Sequence, residues 1–379
     1  MFNWDETQLE FFMEECFDLA KKAQGRTSPN PLVGAVVLDK NGFVVGRGFH
    51  SRSGDHHAEV NALVEAGDKA KDGTLFVNLE PCCHIGKTGP CVDAIIKSGI
   101  REVVFSNYDP NNLVNGKGEK TLKESGIRVI SGILKSGGEE LNKFFFKWIK
   151  NKIPYVTLKQ AQTLNGKVGM KNSPRIKISS DEALKEVHRL RNIYDAILVG
   201  ARTVICDNPA LTSRGSEHYR NPKRVIVDTK LITDPSSKVF IDNAEIFLVT
   251  LNSQKEKLNK YLEKNKKIQV IFLKEKENNY IDFNDLFVEI GKHNILSLMV
   301  ESGPSIATQL VIDNLIDEYM LLISPVIFNE NNCTSSLDLE TYNSHQLSYS
   351  FGIVSYTQIG NDLKVTLVPN KFEKIGQIE

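Results

Sequence analysis

The sequence predicts two α/β domains in tandem, residues 1–150 and 151–379, on three observations. At 379 residues the chain is longer than one ordinary hydrophobic core supports. In both halves short β-branched runs alternate with stretches of helical periodicity, the pattern of strands covered by helices. Between the halves, Asn151-Lys152-Ile153-Pro154 interrupts the periodicity, and its proline disfavours helix at the residue before it.

From Glu10 to Ala23, the apolar residues Phe11, Phe12, Cys16, Leu19, Ala20 and Ala23 recur at helical spacing, and Gly25 ends the pattern. Val33–Leu38 and Phe43–Val45 flank Asp39-Lys40-Asn41-Gly42, where Asn-Gly signals a hairpin. His57–Ala66 reads as helix, Leu75–Asn78 as strand, Cys91–Ser98 as helix and Val103–Ser106 as strand; a last helix spans Gly138 to Lys150. The second half opens with extended Tyr155–Lys159. Strands are predicted near Ile197–Val199, Arg224–Val227, Ile246–Thr250, Val270–Leu273 and Ser297–Val300, with helices near Ser180–Ile193 and Ser305–Asn314. Ser179 with Glu182 predicts a capping box for the first of these helices. Lys255–Lys276 is interleaved with Glu256, Glu263 and Glu275, so it reads as a solvated helix with its flanking loop rather than a nucleic-acid patch.

Lys plus Arg and Asp plus Glu are each 47, so the chain as a whole does not attract a polyanion. Six irregularly spaced cysteines are too few for a disulfide framework and fit a reducing compartment. The acidic start Trp4-Asp5-Glu6 and the absence of any long apolar run point to a cytoplasmic chain with no membrane partner.

The strongest chemical signal is His57-Ala58-Glu59, followed by Pro81-Cys82 and, after eight intervening residues, by Pro90-Cys91. One imidazole and two thiolates make three zinc ligands, where a closed structural site would use four, so a position is left for water. Zinc held this way makes hydroxide available near neutral pH. Glu59 lies about 200° around a helix from His57, which suits a proton shuttle better than a fourth ligand. Proline before each cysteine can start a helix, whose N-terminus favours thiolate. A structural zinc knuckle or buried cysteines are the plain alternatives, and Cys83, His84 and His56 are neighbouring competitors. The set resembles that of nucleobase zinc deaminases, although their pattern separates the cysteines by two residues.

In the second half no Gly-x-Gly-x-x-Gly fingerprint occurs, and Gly86-Lys87-Thr88 lacks the first glycine of a P-loop, Pro81 standing in its place. Two strand-to-glycine segments remain: Ile197–Thr203 through Gly200, and Leu298–Ser305 through Gly303 and Pro304. In the second, backbone N–H groups would face a phosphate at a helix start. Arg191 and Arg214 are phosphate candidates because guanidinium matches phosphate in a bidentate way.

These residues sit within longer motifs: Ser28-Pro29-Asn30-Pro31-Leu32-Val33-Gly34, Gly48-Phe49-His50, His57-Ala58-Glu59-Val60 and Leu79-Glu80-Pro81-Cys82-Cys83-His84 through Cys91. Tyr155–Lys159, Gly200-Ala201-Arg202-Thr203-Val204, Asp207–Thr212 and Glu301-Ser302-Gly303-Pro304-Ser305 follow in order. Together they resemble the bifunctional deaminase-reductase of riboflavin biosynthesis over nearly the whole chain, and the eight-residue cysteine interval is the one that family uses. The resemblance implies a cytidine-deaminase-like zinc domain followed by a dihydrofolate-reductase-like domain. The first would release ammonia from a diamino-pyrimidinone ribosylamino phosphate, and the second would use NADPH to reduce its ribosyl group to ribityl. It implies zinc on His57, Cys82 and Cys91, with Glu59 catalytic, and places Asn30, His50, His84 and Lys87 around the pyrimidine. It also implies Ala161, Thr203, Asp207, Thr229, Gly303, Pro304 and Ser305 at NADPH, and Arg175, Arg191, Leu211, Arg214 and Glu301 at the substrate. Lys159 and Asp207 are expected side by side as the reductase's catalytic pair, and the enzyme as a homo-oligomer. Two departures stand out: Leu164-Asn165-Gly166 replaces the family's Leu-Asp-Gly, and Ser173–Lys177 lacks the serine and tryptophan of its Gly-x-Ser-x-Trp segment. A chain that only deaminates, its second half structural or dimerising, is the alternative reading. A nucleic-acid deaminase is disfavoured by zero net charge.

Overall fold

Strand β1 (Gly34–Leu38) is buried at every position and forms a hairpin with β2 (Val44–Phe49), closed by a turn in which Gly42 has φ 89°. The structure is a computed structural model and describes residues 4–84, 89–170, 176–215, 220–275, 281–329, 332–339 and 348–370. It divides into two compact units, Met1–Lys152 and Ile153–Glu379.

In the first unit the hairpin joins β3 (Thr74–Leu79), β4 (Glu102–Asn107) and β5 (Arg128–Ser131) in the order β2-β1-β3-β4-β5. β1 is antiparallel to β3, and β3, β4 and β5 run parallel. Helix α1 (Glu6–Lys21) carries a capping box from Asp5 and Gln8, and buries Met13, Cys16 and Phe17 against Val36, Phe76 and Val104. Helices α2 (Ala58–Ala66), α3 (Cys91–Ser98) and α4 (Lys117–Glu124) connect the strands. The helix expected over 138–150 is two, α5 (Lys135–Leu141) and α6 (Lys143–Asn151), broken at Asn142 because that side chain is used elsewhere, as described below.

The second unit is built on a nine-stranded sheet of β6 (Tyr155–Thr163), β8 (Ala196–Gly200), β9 (Lys223–Val227), β10 (Ile246–Leu251), β11 (Ile268–Leu273), β12 (Ser297–Val300), β13 (Glu318–Ser324), β15 (Phe351–Ile359) and β16 (Asp362–Pro369). Its order is β11-β10-β9-β8-β12-β6-β13-β16-β15, parallel from β11 to β13 and closed by the antiparallel pair β16 and β15. Helices α7 (Asp181–Ile193), α8 (Ala201–Asp207), α9 (Lys238–Ile241), α10 (Asn259–Leu262), α11 (Phe283–Lys292) and α12 (Pro304–Ile312) connect the parallel strands, and β7 (Lys167–Met170) pairs separately with β14 (Cys333–Ser335). Near-continuous apolar runs such as Ile246–Leu251 mark strands covered on both faces.

Two sequence expectations shift here. The cap of α7 is Ser180, not Ser179: its hydroxyl accepts from the Ala183 N–H, while its own N–H and hydroxyl are held by Asp362 from the far end of the sheet. Within the Lys255–Lys276 stretch, residues 255–275 form a 3₁₀ turn and the single-turn α10, leading into β11, whose Ile268, Ile271 and Leu273 are buried; Lys276 lies outside the described residues. Among the described residues no helix is long and apolar enough to cross a membrane.

Candidate functional site

In the first unit the sheet brings the zinc-type residues together at one end. His57 precedes α2 in extended conformation, Cys82 lies in the loop after the central strand β3, and Cys91 is the first residue of α3. His57 Nδ1 is 3.1 Å from Cys91 Sγ and 3.5 Å from Cys82 Sγ, and the three ligand atoms lie within 4.8 Å of one another. Zinc bonded to nitrogen at about 2.0–2.1 Å and to sulfur at about 2.3 Å in a tetrahedron needs such pairs roughly 3.6–3.8 Å apart, so this donor set fits zinc. The Cys91 N–H donates to Cys82 Sγ at 3.4 Å. The Cys91 thiol is the largest influence holding the Cys82 thiol well below its ordinary pKa; burial opposes it, and His57 adds to it. Cys91 does start a helix, while Pro81 and Cys82 are irregular and the Cys82 carbonyl accepts from the Val92 N–H of α3 at 3.2 Å.

The competing ligands are placed elsewhere. His56 is exposed and its carbonyl accepts from His50 Nδ1 at 3.1 Å. Cys83 Sγ faces the Leu113 carbonyl at 3.6 Å, and His84 Nδ1 is buried with no hydrogen-bond partner among the described residues. Glu59 is buried, lies outside the three-ligand group, and its Oε2 has no partner among the described residues. Burial, and then the charge at Cys82, raise its pKa. A buried carboxyl with a raised pKa and an open oxygen can take up and pass on a proton.

Asn30 and His50 form a coupled pair, Asn30 Nδ2 lying 3.0 Å from His50 Nε2. Because His50 Nδ1 is committed to the His56 carbonyl, the ring carries its proton there and accepts from Asn30. Burial lowers the His50 pKa and keeps the ring neutral. The Asn30 segment is pinned from afar: Leu32 N–H donates to Asn142 Oδ1 at 2.8 Å, and the Leu32 carbonyl accepts from Asn142 and Asn78, each at 2.9 Å. The sequence reading missed both asparagines, although a polar residue inside the apolar run Leu75–Leu79 was a visible signal. Lys87 lies outside the described residues.

In the second unit the parallel strands β6, β8 and β12 bring Lys159, Gly200 and Glu301 to neighbouring positions. Register sets Leu158 opposite Val300 and Val300 opposite Leu198, so Lys159 and Glu301 emerge side by side. Lys159 Nζ is 3.2 Å from Glu301 Oε2, and Arg191 grips the same carboxylate through Nε at 2.8 Å and Nη2 at 3.0 Å. Lys159 therefore pairs with Glu301, its neighbour across β12, while Asp207 ends α8. Arg191 also donates through Nη1 to the Thr212 carbonyl at 3.3 Å. His188 Nδ1 reaches the same carbonyl at 3.0 Å, fixing the loop in which Leu211 is buried with φ 53°. Arg214 is exposed, with Nε 3.4 Å from Thr212 Oγ1.

Gly303 caps α12 with no side-chain hydrogen bond, Pro304 stands in the first turn ahead of Ser305, and a Cβ on Gly303 would meet open space. The Gly200 N–H donates to Ser302 Oγ at 3.1 Å, joining the two glycine segments that the sequence singled out. Thr203 lies on α8, Thr229 just beyond β9 and Ala161 on β6; Arg175 lies outside the described residues. The Asn165 departure has a structural reason: Nδ2 donates to the Phe328 carbonyl at 2.8 Å while Oδ1 accepts from the Phe328 N–H at 3.2 Å, a bracket that a carboxylate could not close.

The RibD C-terminal domain family matches residues 154–365, and the cytidine and deoxycytidylate deaminase zinc-binding region matches residues 6–107. The riboflavin biosynthesis protein RibD of Aquifex aeolicus is 41% identical over 87% of this chain and 90% of its own length. The RibD protein of Bacillus amyloliquefaciens is 37% identical over 95% of this chain and 96% of its own. Among solved structures, Acinetobacter baumannii RibD superposes with TM-score 0.86 at 29% identity, covering 97% of this chain and 100% of that one. A diaminohydroxyphosphoribosylaminopyrimidine deaminase/5-amino-6-(5-phosphoribosylamino)uracil reductase from Thermotoga maritima does so with TM-score 0.83 at 34% identity, covering 96% and 99%.

Proposed function

The chain belongs to the RibD family of bifunctional riboflavin-biosynthesis deaminase-reductases, and on that premise we propose how its two halves divide the work. The enzyme performs two consecutive steps: hydrolytic deamination of the diamino-pyrimidinone ribosylamino phosphate, then reduction of its ribosyl group to ribityl.

Deamination belongs to residues 1–150. The close approach of His57 Nδ1 to the two sulfurs carries this reading, and these three residues would hold zinc. When bound, zinc supplies a water nucleophile at neutral pH. Glu59 would hold a proton at its open Oε2 and pass it to the departing amino group, a task supported by its burial and raised pKa. Asn30, held in one orientation by neutral His50, contacts the pyrimidine together with His84.

Reduction belongs to residues 151–379, with NADPH as the hydride donor. The first turn of α12, Gly303-Pro304-Ser305, receives a cofactor phosphate, and Ala161, Thr203, Asp207 and Thr229 complete the cofactor's contacts. Glu301, fixed by Lys159 and Arg191, orients the sugar hydroxyls, and Lys159 handles the proton that accompanies hydride transfer. Arg191, Leu211 and Arg214 flank the substrate beside the Thr212 loop. The test supplies zinc-loaded protein with the ribosylamino phosphate and follows ammonia and NADPH together. Ammonia release followed by NADPH oxidation is expected; ammonia alone would reduce the second half to a partner of the deaminase.

A further inference from the structure

Glu80 is the one residue of the Leu79-Glu80-Pro81-Cys82 motif with a buried charge and no part in either reaction. Its N–H donates to Asn107 O at 2.9 Å, extending the β3 and β4 pairing by one residue. Its carboxylate accepts three backbone N–H groups: Gly116 at 3.0 Å, Glu119 at 3.1 Å and Asp109 at 3.4 Å. A carboxylate taken out of water needs such donors, and three amides from one segment tie that segment firmly to it. The segment 109–119 also packs on the residues flanking Cys82. A Cβ at Gly118 would overlap the Pro81 carbonyl oxygen, and Cys83 Sγ meets the Leu113 carbonyl at 3.6 Å.

We infer that Glu80 is a positioning residue for the zinc loop: it clasps the 109–119 arch against Pro81 and Cys83, and the arch holds Cys82 in register with His57 and Cys91. The clasp rests on Cys82 being a zinc ligand, which Cys82→Ser protein checks separately by its zinc content. Glu80→Gln keeps the size of the side chain but turns an NH₂ toward backbone donors.

Full-length, zinc-loaded protein is mixed with a chromogenic chelator and zinc release is timed, with NADPH oxidation on already deaminated substrate reporting that the chain is folded. Partners that orient metal ligands typically change metal affinity about 10–100-fold, so release from Glu80→Gln is expected to quicken by that order. Release at the wild-type rate from folded Glu80→Gln protein, with Cys82→Ser devoid of zinc, would overturn the clasp alone. Zinc retained by Cys82→Ser would instead sink the ligand reading. Should Glu80→Gln prove insoluble, amide hydrogen exchange in the unaltered protein decides: slow exchange at Gly116 and Glu119 is expected, and exchange as fast as an open loop overturns the proposal.

Discussion

Glu59 is a buried carboxyl and Glu301 a nearly buried one, yet their surroundings drive them in opposite directions. At Glu59 burial dominates and raises the pKa. At Glu301 burial pushes the same way, but the charges of Arg191 and Lys159 outweigh it and hold the carboxyl well below the usual range. The first is therefore suited to exchanging a proton, the second to remaining an anion. Glu59→Gln should retain zinc while ammonia release falls by about 10²–10⁴, the usual worth of a positioned acid-base group. Metal analysis beside the rate assay checks it, and full activity would remove Glu59 from the mechanism. Glu301 titrates near 4.3 when unfolded and lower when folded, so it contributes stability above about pH 4.3 that is lost as pH falls toward the folded value. Glu301→Gln strands Arg191 and Lys159 and should cost about 3–5 kcal/mol at neutral pH. It should also flatten the fall in melting temperature between neutral pH and pH 3; an unchanged slope would show that another group titrates.

At the scale of elements, glycine is where local reading and packing part. Gly46 and Gly48 suggest that the strand begun at Phe43 ends by Val45, yet β2 runs on to Phe49. Its glycines are there because α2 lies directly on them: a Cβ at Gly46 would overlap the Ala62 carbonyl, and one at Gly48 the Ala58 carbonyl. That contact fixes the height of α2, and with it His57 and Glu59, above the sheet. Gly46→Ala should destabilise the first unit by about 1–3 kcal/mol through forced backbone movement. Denaturant unfolding measures this, and a neutral result would mean that the helix can lift freely. The break between α5 and α6 has a similar origin, since Asn142 sits where a helix would continue but spends its amide on Leu32.

At the scale of the whole molecule, each unit has its own apolar core, Met13, Phe17 and Phe76 in the first and Leu158, Phe247 and Leu298 in the second. A chelator should accordingly stop ammonia release while leaving NADPH-dependent reduction of deaminated substrate unchanged; a parallel loss of both would show that the second half depends on the metal. The alternation of strands and helices and the grouping of His57, Cys82 and Cys91 were legible in the sequence, because strand period, helix period and residue spacing are local quantities. The antiparallel closure by β16 and β15 was not, since β15 is largely exposed and carries little of the pattern that a buried strand shows. Nor was the partner of Lys159: Glu301 lies 142 residues away in sequence, and Arg191 reaches it across 110. The sequence by itself determined which chemical groups this protein owns and which elements carry them. Only the tertiary structure decided which groups meet, because sheet order and register, rather than any local period, set Lys159 beside Glu301, Asn142 on Leu32 and Glu80 under the arch beside Cys82.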